Sequence, residues 1–147
     1  PVIPLRLLLA VDGSECALRA AAFALRLVSS CAAEVRLVHV EPTLTVAGSV
    51  LGPREHLIAH WSGSHSEQAL AGARDLLDQL HVAYIEQIVA CDDPRSAIVN
   101  AAREHASSTL AMGTRGAGPV TSLLLGSVAQ GVLEQVPSTV EAVILAR

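Results

Sequence analysis

The chain has 147 residues, 51% of them hydrophobic and only 2% aromatic, with a formal net charge of −4. That length suits one domain with a sizeable core built from Leu, Val, Ile and Ala, and the apolar share argues against disorder. The acidic balance excludes a general grip on nucleic acid and the few aromatics exclude a base-stacking platform, while the lack of any Lys beside ten Arg excludes a phosphate-loop lysine, a Schiff base and a lysine general base.

The first element is "RLLLAV" (6–11), a continuous apolar run closed by "DGS", which predicts a buried strand and a turn. The stretch "PVIPLRLLLAVDG" has no basic region before the apolar run and no small-residue cleavage pattern after it, so no signal peptide is expected. "ECALRAAAFALRLVSS" (15–30) has no Gly or Pro and predicts a helix with Arg19 and Arg26 on its polar side. Asp12 and Glu15 stand at the spacing of a capping pair. "EVRLVHV" (34–40) predicts the second strand, with Val35, Leu37 and either His39 or Val40 alternating. His39 is expected to be hydrogen-bonded and partly buried rather than an acid–base group.

From Glu41 to about Gly63 the pattern weakens into a long connection with a short helix over "REHLIAHW". His56 and His60 stand i, i+4, with His65 beyond, but the zinc-protease Glu is missing, so solvated histidines are expected. Trp61 is expected to pin this connection to the core. "SEQALAGARDLLDQL" (66–80) predicts a helix, with Ser64 and Glu67 as its capping box, and "AYIEQIVA" (83–90) a third strand. Asp93 caps the next helix and Pro94 takes its first position, where a missing N–H costs nothing; that helix ends near His105. The pair Asp92–Asp93 therefore reads as a helix start, not a metal site. "STLAM" (108–112), "SVAQGVLEQV" (127–136) and "TVEAVILA" (139–146) predict a strand, a helix and a fifth strand. No apolar run approaches the length of a membrane span. Cys16, Cys31 and Cys91 are odd in number and follow no ligand spacing, which suits small buried hydrophobes in a reducing cytosol.

Strict strand–helix alternation implies an α/β fold, a parallel sheet with helices on both faces. Ligands of such sheets bind beyond the carboxyl ends of the strands, where the strand order reverses. The loops after the first and fourth strands should meet there.

The second of these loops is "GTRGAGPVTSLLLGS" (113–127), spaced Gly113-x2-Gly116-x9-Gly126-Ser127. Gly113 and Gly116 would let backbone amides approach a ligand with no Cβ in the way. Gly126 and Ser127 open a helix whose first amides lack intrahelical partners and whose dipole favours an anion. The Ser127 hydroxyl can donate to a phosphate oxygen, and Arg115 adds a charge or points into solvent. A plainer reading stands beside this one: Ser127 and Gln130 match a capping box. Leu125 and Gly126, where Lys would be needed, rule out a phosphate loop, and Thr121 rules out the dinucleotide pattern.

With the first strand ending "AVDGS" and the second "VHV", this spacing resembles the universal stress protein family, in its ATP-binding branch, over nearly the whole chain. The resemblance implies a Rossmann-like open five-stranded parallel sheet of order 3-2-1-4-5. It implies that Ala10, Val11 and Asp12 line a nucleotide pocket, with Asp12 near the adenosine, and that Val40 offers backbone hydrogen bonds to adenine. Met112 would pack near base or ribose. Gly113 and Gly116 would hold ribose and phosphates, with Arg115 beside them, and Gly126, Ser127 and Val128 would bind phosphates. ATP would bring Mg²⁺ or Mn²⁺. A homodimer through the last strand is also implied, although "TVEAVILA" departs from the family's usual "PVLVV" and Glu141 puts a charge into it. The function implied is a cytoplasmic, nucleotide-dependent stress-response regulator without nucleic-acid or membrane partners. Two alternatives remain open. One is a slow ATPase or a nucleotide hydrolase or transferase, for which neither Asp12 nor Ser14 has an identifiable catalytic partner. The other is a ligand-free dimerisation module.

Overall fold

The computed structural model describes residues 3–42, 54–115 and 126–147, the backbone alone over 54–65. Its elements are β1 (Leu5–Ala10), α1 (Glu15–Val28), β2 (Ala33–Glu41), α2 (Arg54–Gln79), β3 (Tyr84–Ala90), α3 (Pro94–His105), β4 (Thr109–Gly113), α4 (Ser127–Gln135) and β5 (Ala142–Ala146). The strands pair in parallel in the order β3-β2-β1-β4-β5.

β1 sits at the centre of the sheet, which explains its unbroken apolar sequence. Leu7 and Leu9 project into one core cluster and Leu8 and Ala10 into the other. A strand covered on both faces has no polar side to show. The first cluster is closed by Ala17, Ala20, Ala21, Ala24 and Leu25 of α1 and by Leu70, Ala73 and Leu77 of α2. The second is closed by Ile98, Ala101 and Ala102 of α3 and by Ala129 and Val132 of α4. The alanine stripe of α1 lets that helix lie close on the sheet, and each fully buried Leu contributes about 1.5–3 kcal/mol.

Several boundaries differ from the sequence reading. Asp12 and Glu15 do not form a capping pair. Ser14 is the N-cap of α1, its Oγ accepting from Ala17 N at 3.2 Å. Asp12 Oδ1 instead accepts from Ser14 N at 2.9 Å, and Glu15 pairs with Arg19 at 3.0 Å. The region 54–79 is one helix of 26 residues, so Ser64 lies inside a continuous helix and cannot cap a new one. Glu67 is engaged instead by Arg74, which also donates through Nε to Glu86 Oε1 at 2.6 Å and ties α2 to β3. α3 starts as expected, with Asp93 accepting from Arg95 N at 3.2 Å and Ser96 Oγ at 2.8 Å, and Pro94 next. β5 begins at Ala142, so Glu141 precedes the strand; its amide donates to Ser108 O at 2.8 Å. The expectations for Trp61, His56, His60 and His65 concern side chains outside the described residues.

Candidate functional site

In this strand order the chain leaves β1 toward β2 on one side and returns from α3 to β4 on the other. The carboxyl ends of β1 and β4 therefore diverge, and a crevice is expected between the loops that follow them. Ten of the eleven residues singled out above lie at this end of the sheet: Ala10, Val11, Asp12, Val40, Met112, Gly113, Arg115, Gly126, Ser127 and Val128. Gly116 lies outside the described residues.

Ala10 and Met112 are buried, at 7% and 4% exposure, among Leu8, Val38 and Ile98. Their side chains belong to the second core cluster, on the α3 and α4 side of the sheet. Val11 closes the strand: its amide donates to Val38 O at 2.9 Å. Asp12 is exposed, one carboxylate oxygen holding the Ser14 amide. Gly13 turns the chain at φ +86°, where a side chain would be strained, and a Cβ there would also lie 3.1 Å from Ala69 Cα of α2. Val40, half-buried, packs against the second core cluster.

On the β4 side the reason for Gly113 differs from the one read in the sequence. A Cβ at Gly113 would lie 2.8 Å from Ala17 N and 2.9 Å from Cys16 Cβ. Its missing side chain lets α1 rest on β4, so it is required by packing whether or not a ligand is near. Thr114 N then donates to Ala146 O of β5, and Gly126 N donates to Thr114 O, both at 2.8 Å. The Gly126 amide is thus engaged by the Thr114 carbonyl. Arg115, half-buried, makes interactions of its own within the protein.

The start of α4 also departs from the capping-box alternative. The N-cap is Gly126, which has no side chain to offer, and Ser127 stands one position inside the helix. The first closed turn is Gln130 N to Gly126 O at 2.9 Å. The amides of Ser127, Val128 and Ala129 therefore precede it, and among the described residues no side-chain cap serves them. Ser127 is exposed and Val128 half-buried, so this end of the helix faces outward. Such an end attracts an anion through its amides and its dipole. Among the described residues no three His, Cys, Asp or Glu side chains converge as a metal site, and no helix is long and apolar enough to cross a membrane.

One constellation was missed. His39 and Glu41 of β2 and Ser66 of α2 are buried together. His39 Nδ1 donates to Val11 O at 2.8 Å, Nε2 meets Glu41 Oε1 at 2.7 Å, and Ser66 Oγ donates to the same oxygen at 3.2 Å. A carbonyl can only accept, so Nδ1 carries a proton, and one further proton lies between Nε2 and the carboxylate. The alternation of "EVRLVHVE" does place His39 and Glu41 on the face of Val35 and Leu37. Reading Glu41 as the first loop residue hid the pair.

A family model described as the universal stress protein family matches residues 5–143. A universal stress protein of Thermus aquaticus is 32% identical over 135 residues, covering 91% of this chain and 94% of its own. The universal stress protein UspA of Lactobacillus plantarum superposes with a TM-score of 0.80 at 17% identity over the whole of both chains. A universal stress protein of Archaeoglobus fulgidus in complex with dAMP superposes with a TM-score of 0.67 at 20% identity, again over both whole chains. The match of the family model across nearly all of the sequence, on a sheet of the order the resemblance implied, shows that the chain belongs to the universal stress protein family.

Proposed function

We propose that this protein is an adenine-nucleotide-binding regulator that takes ATP, acts in the cytoplasm and works as a homodimer joined through β5. The observation that carries the reading is the start of α4, without a side-chain cap among the described residues, at the same end of the sheet as Asp12 and Val40. Phosphates would rest on the Ser127 and Val128 amides and the Ser127 hydroxyl. Asp12, with one oxygen occupied by Ser14, keeps the other for a ribose hydroxyl. The loop 113–116 would pass beside the phosphates, with Gly113 there for packing and Arg115 and Gly116 as the contacts. The Archaeoglobus relative that binds dAMP supports an adenine nucleotide as the class of ligand. A divalent cation would come with the phosphates, since Mg²⁺ keeps most of its waters and needs few protein carboxylates. Binding would alter the surface around the start of α4, and that surface would be what partners read.

Calorimetric titration with ATP and Mg²⁺ tests the reading. Ser127→Ala removes one hydrogen bond to a charged oxygen and should weaken binding about tenfold. Wild-type protein that takes up neither ATP nor dAMP at millimolar concentration ends the proposal. Phosphate release is expected to be slow at most; rapid multiple turnover abolished by Asp12→Ala would replace a regulator with an enzyme.

A further inference from the structure

The β1–β2 ladder ends in an unusual way. Its last backbone rung is Val11 N to Val38 O at 2.9 Å. The next rung of a parallel ladder would run from the Val40 amide to the Val11 carbonyl. That bond is not among the backbone hydrogen bonds of the described residues. The carbonyl takes the Nδ1–H of His39 instead, at 2.8 Å. The imidazole is held from its other side by Glu41, at 2.7 Å, and Glu41 by Ser66 of α2. All three residues are buried.

We infer that His39 is a positioning residue for the nucleotide site: its imidazole takes the place of a backbone rung, closing β1 at Val11 while leaving the Val40 amide for adenine. This rests on the nucleotide reading above. Strand parity supports it. Val38 O faces β1 and Glu41 O faces β3, where it accepts from Cys91 N at 2.8 Å. Val40 shares the parity of Val38, so its backbone groups point to the β1 side, beyond the point where β1 has turned away. The same imidazole fixes Val11, the residue before Asp12. Through Glu41 and Ser66 it links this loop to α2, whose Ala69 packs on Gly13. Without the Nδ1–H bond, the Val11 carbonyl would be left to the Val40 amide. Adenine would then compete with the ladder, and the receptive state would be only a fraction of the molecules.

Two near-isosteric substitutions separate the two imidazole nitrogens. His39→Asn puts an amide nitrogen where Nδ1 stood; His39→Gln puts one where Nε2 stood. Each breaks one bond of the buried network, so a purely structural role predicts equal losses. The positioning role predicts ATP binding within about threefold of wild type for Asn and weakened about tenfold or more for Gln. Amide exchange at Val11 and Ser14 in ligand-free protein should likewise be faster in the Gln variant than in the Asn variant. Equal behaviour of the two variants in both measurements overturns the inference. Wild-type protein that binds no ATP overturns the nucleotide reading and the adenine role with it, yet the exchange comparison still decides whether Nδ1 holds the loop.

Discussion

At the scale of single residues, the glycines carry the lesson. The spacing of Gly113 and Gly126 is visible in the sequence, but a sequence does not say which atom a missing Cβ makes room for. At Gly113 it is the backbone of Ala17, at 2.8 Å. Backbone in the first turn of a packed helix has little room to yield. Gly113→Ala should therefore cost about 1–3 kcal/mol in urea unfolding without any nucleotide, the usual range for an overpacked contact. An unchanged midpoint would show that α1 does not need the gap. Ser127 is the reverse case. The sequence allowed it to be a helix cap, but the cap is Gly126 and Ser127 stands inside α4, exposed. A lost cap would cost about 1 kcal/mol. Ser127→Ala should instead leave ligand-free stability within about 0.5 kcal/mol, as an exposed substitution does. A larger loss in urea unfolding would return Ser127 to a structural role.

At the scale of elements, most strands and helices were legible because their apolar patterns match their burial, β1 and α3 above all. α2 was legible as two pieces, a short helix over "REHLIAHW" and a second over 66–80, but not as one helix. The stretch "WSGSHSEQ" looks like a break followed by a cap, yet the helix runs through it. Nucleation is the costly step of helix formation and each added residue is cheap, so a helix anchored by Leu70, Ala73 and Leu77 can extend through weak formers. The end of α3 shows a different kind of constraint. Arg6 donates to the carbonyl of His105 at 3.0 Å, and the His105 Nδ1 lies 3.0 Å from Ser107 Oγ. Burial, and after it the charges of Arg36 and Arg6, hold the His105 imidazole below its ordinary range, with Glu34 opposing weakly. The unfolded chain then binds more protons than the folded one, so stability rises with pH over this window. Full stability holds above about pH 6.5, the unfolded value, and is lost as pH falls toward the lower folded one. His105→Asn keeps a polar atom near Ser107 but cannot titrate. Its urea midpoint should fall less than that of wild type between neutral pH and pH 5. Parallel curves would mean that other groups carry the acid sensitivity.

At the scale of the whole molecule, alternation of strands and helices told the layers. The dimer was harder to read, because the argument turned on where one strand begins. Glu141 looked like a charge within the last strand, but β5 starts after it and "AVILA" carries no charge at all. The other edge strand, β3, carries Glu86, held by Arg74. A free edge without charge or Pro is open to pairing with a second strand. Hydrogen bonds to the β4 side come from Ala142 N, to Ser108 O, and from Thr114 N to Ala146 O. Even-numbered residues thus face inward, and Val143 and Leu145 present their backbone groups to the open side. A second copy related by a two-fold axis would add its own β5 there, antiparallel, and join two sheets into one. Val143→Pro removes an outward donor while sparing the inward ones. In sedimentation equilibrium at micromolar concentration, wild-type protein should be a dimer and Val143→Pro a monomer that still binds ATP, because none of the residues proposed to hold the nucleotide lies on β5. A monomeric wild type, or a dimer that survives the proline, would place the partner surface elsewhere than this edge.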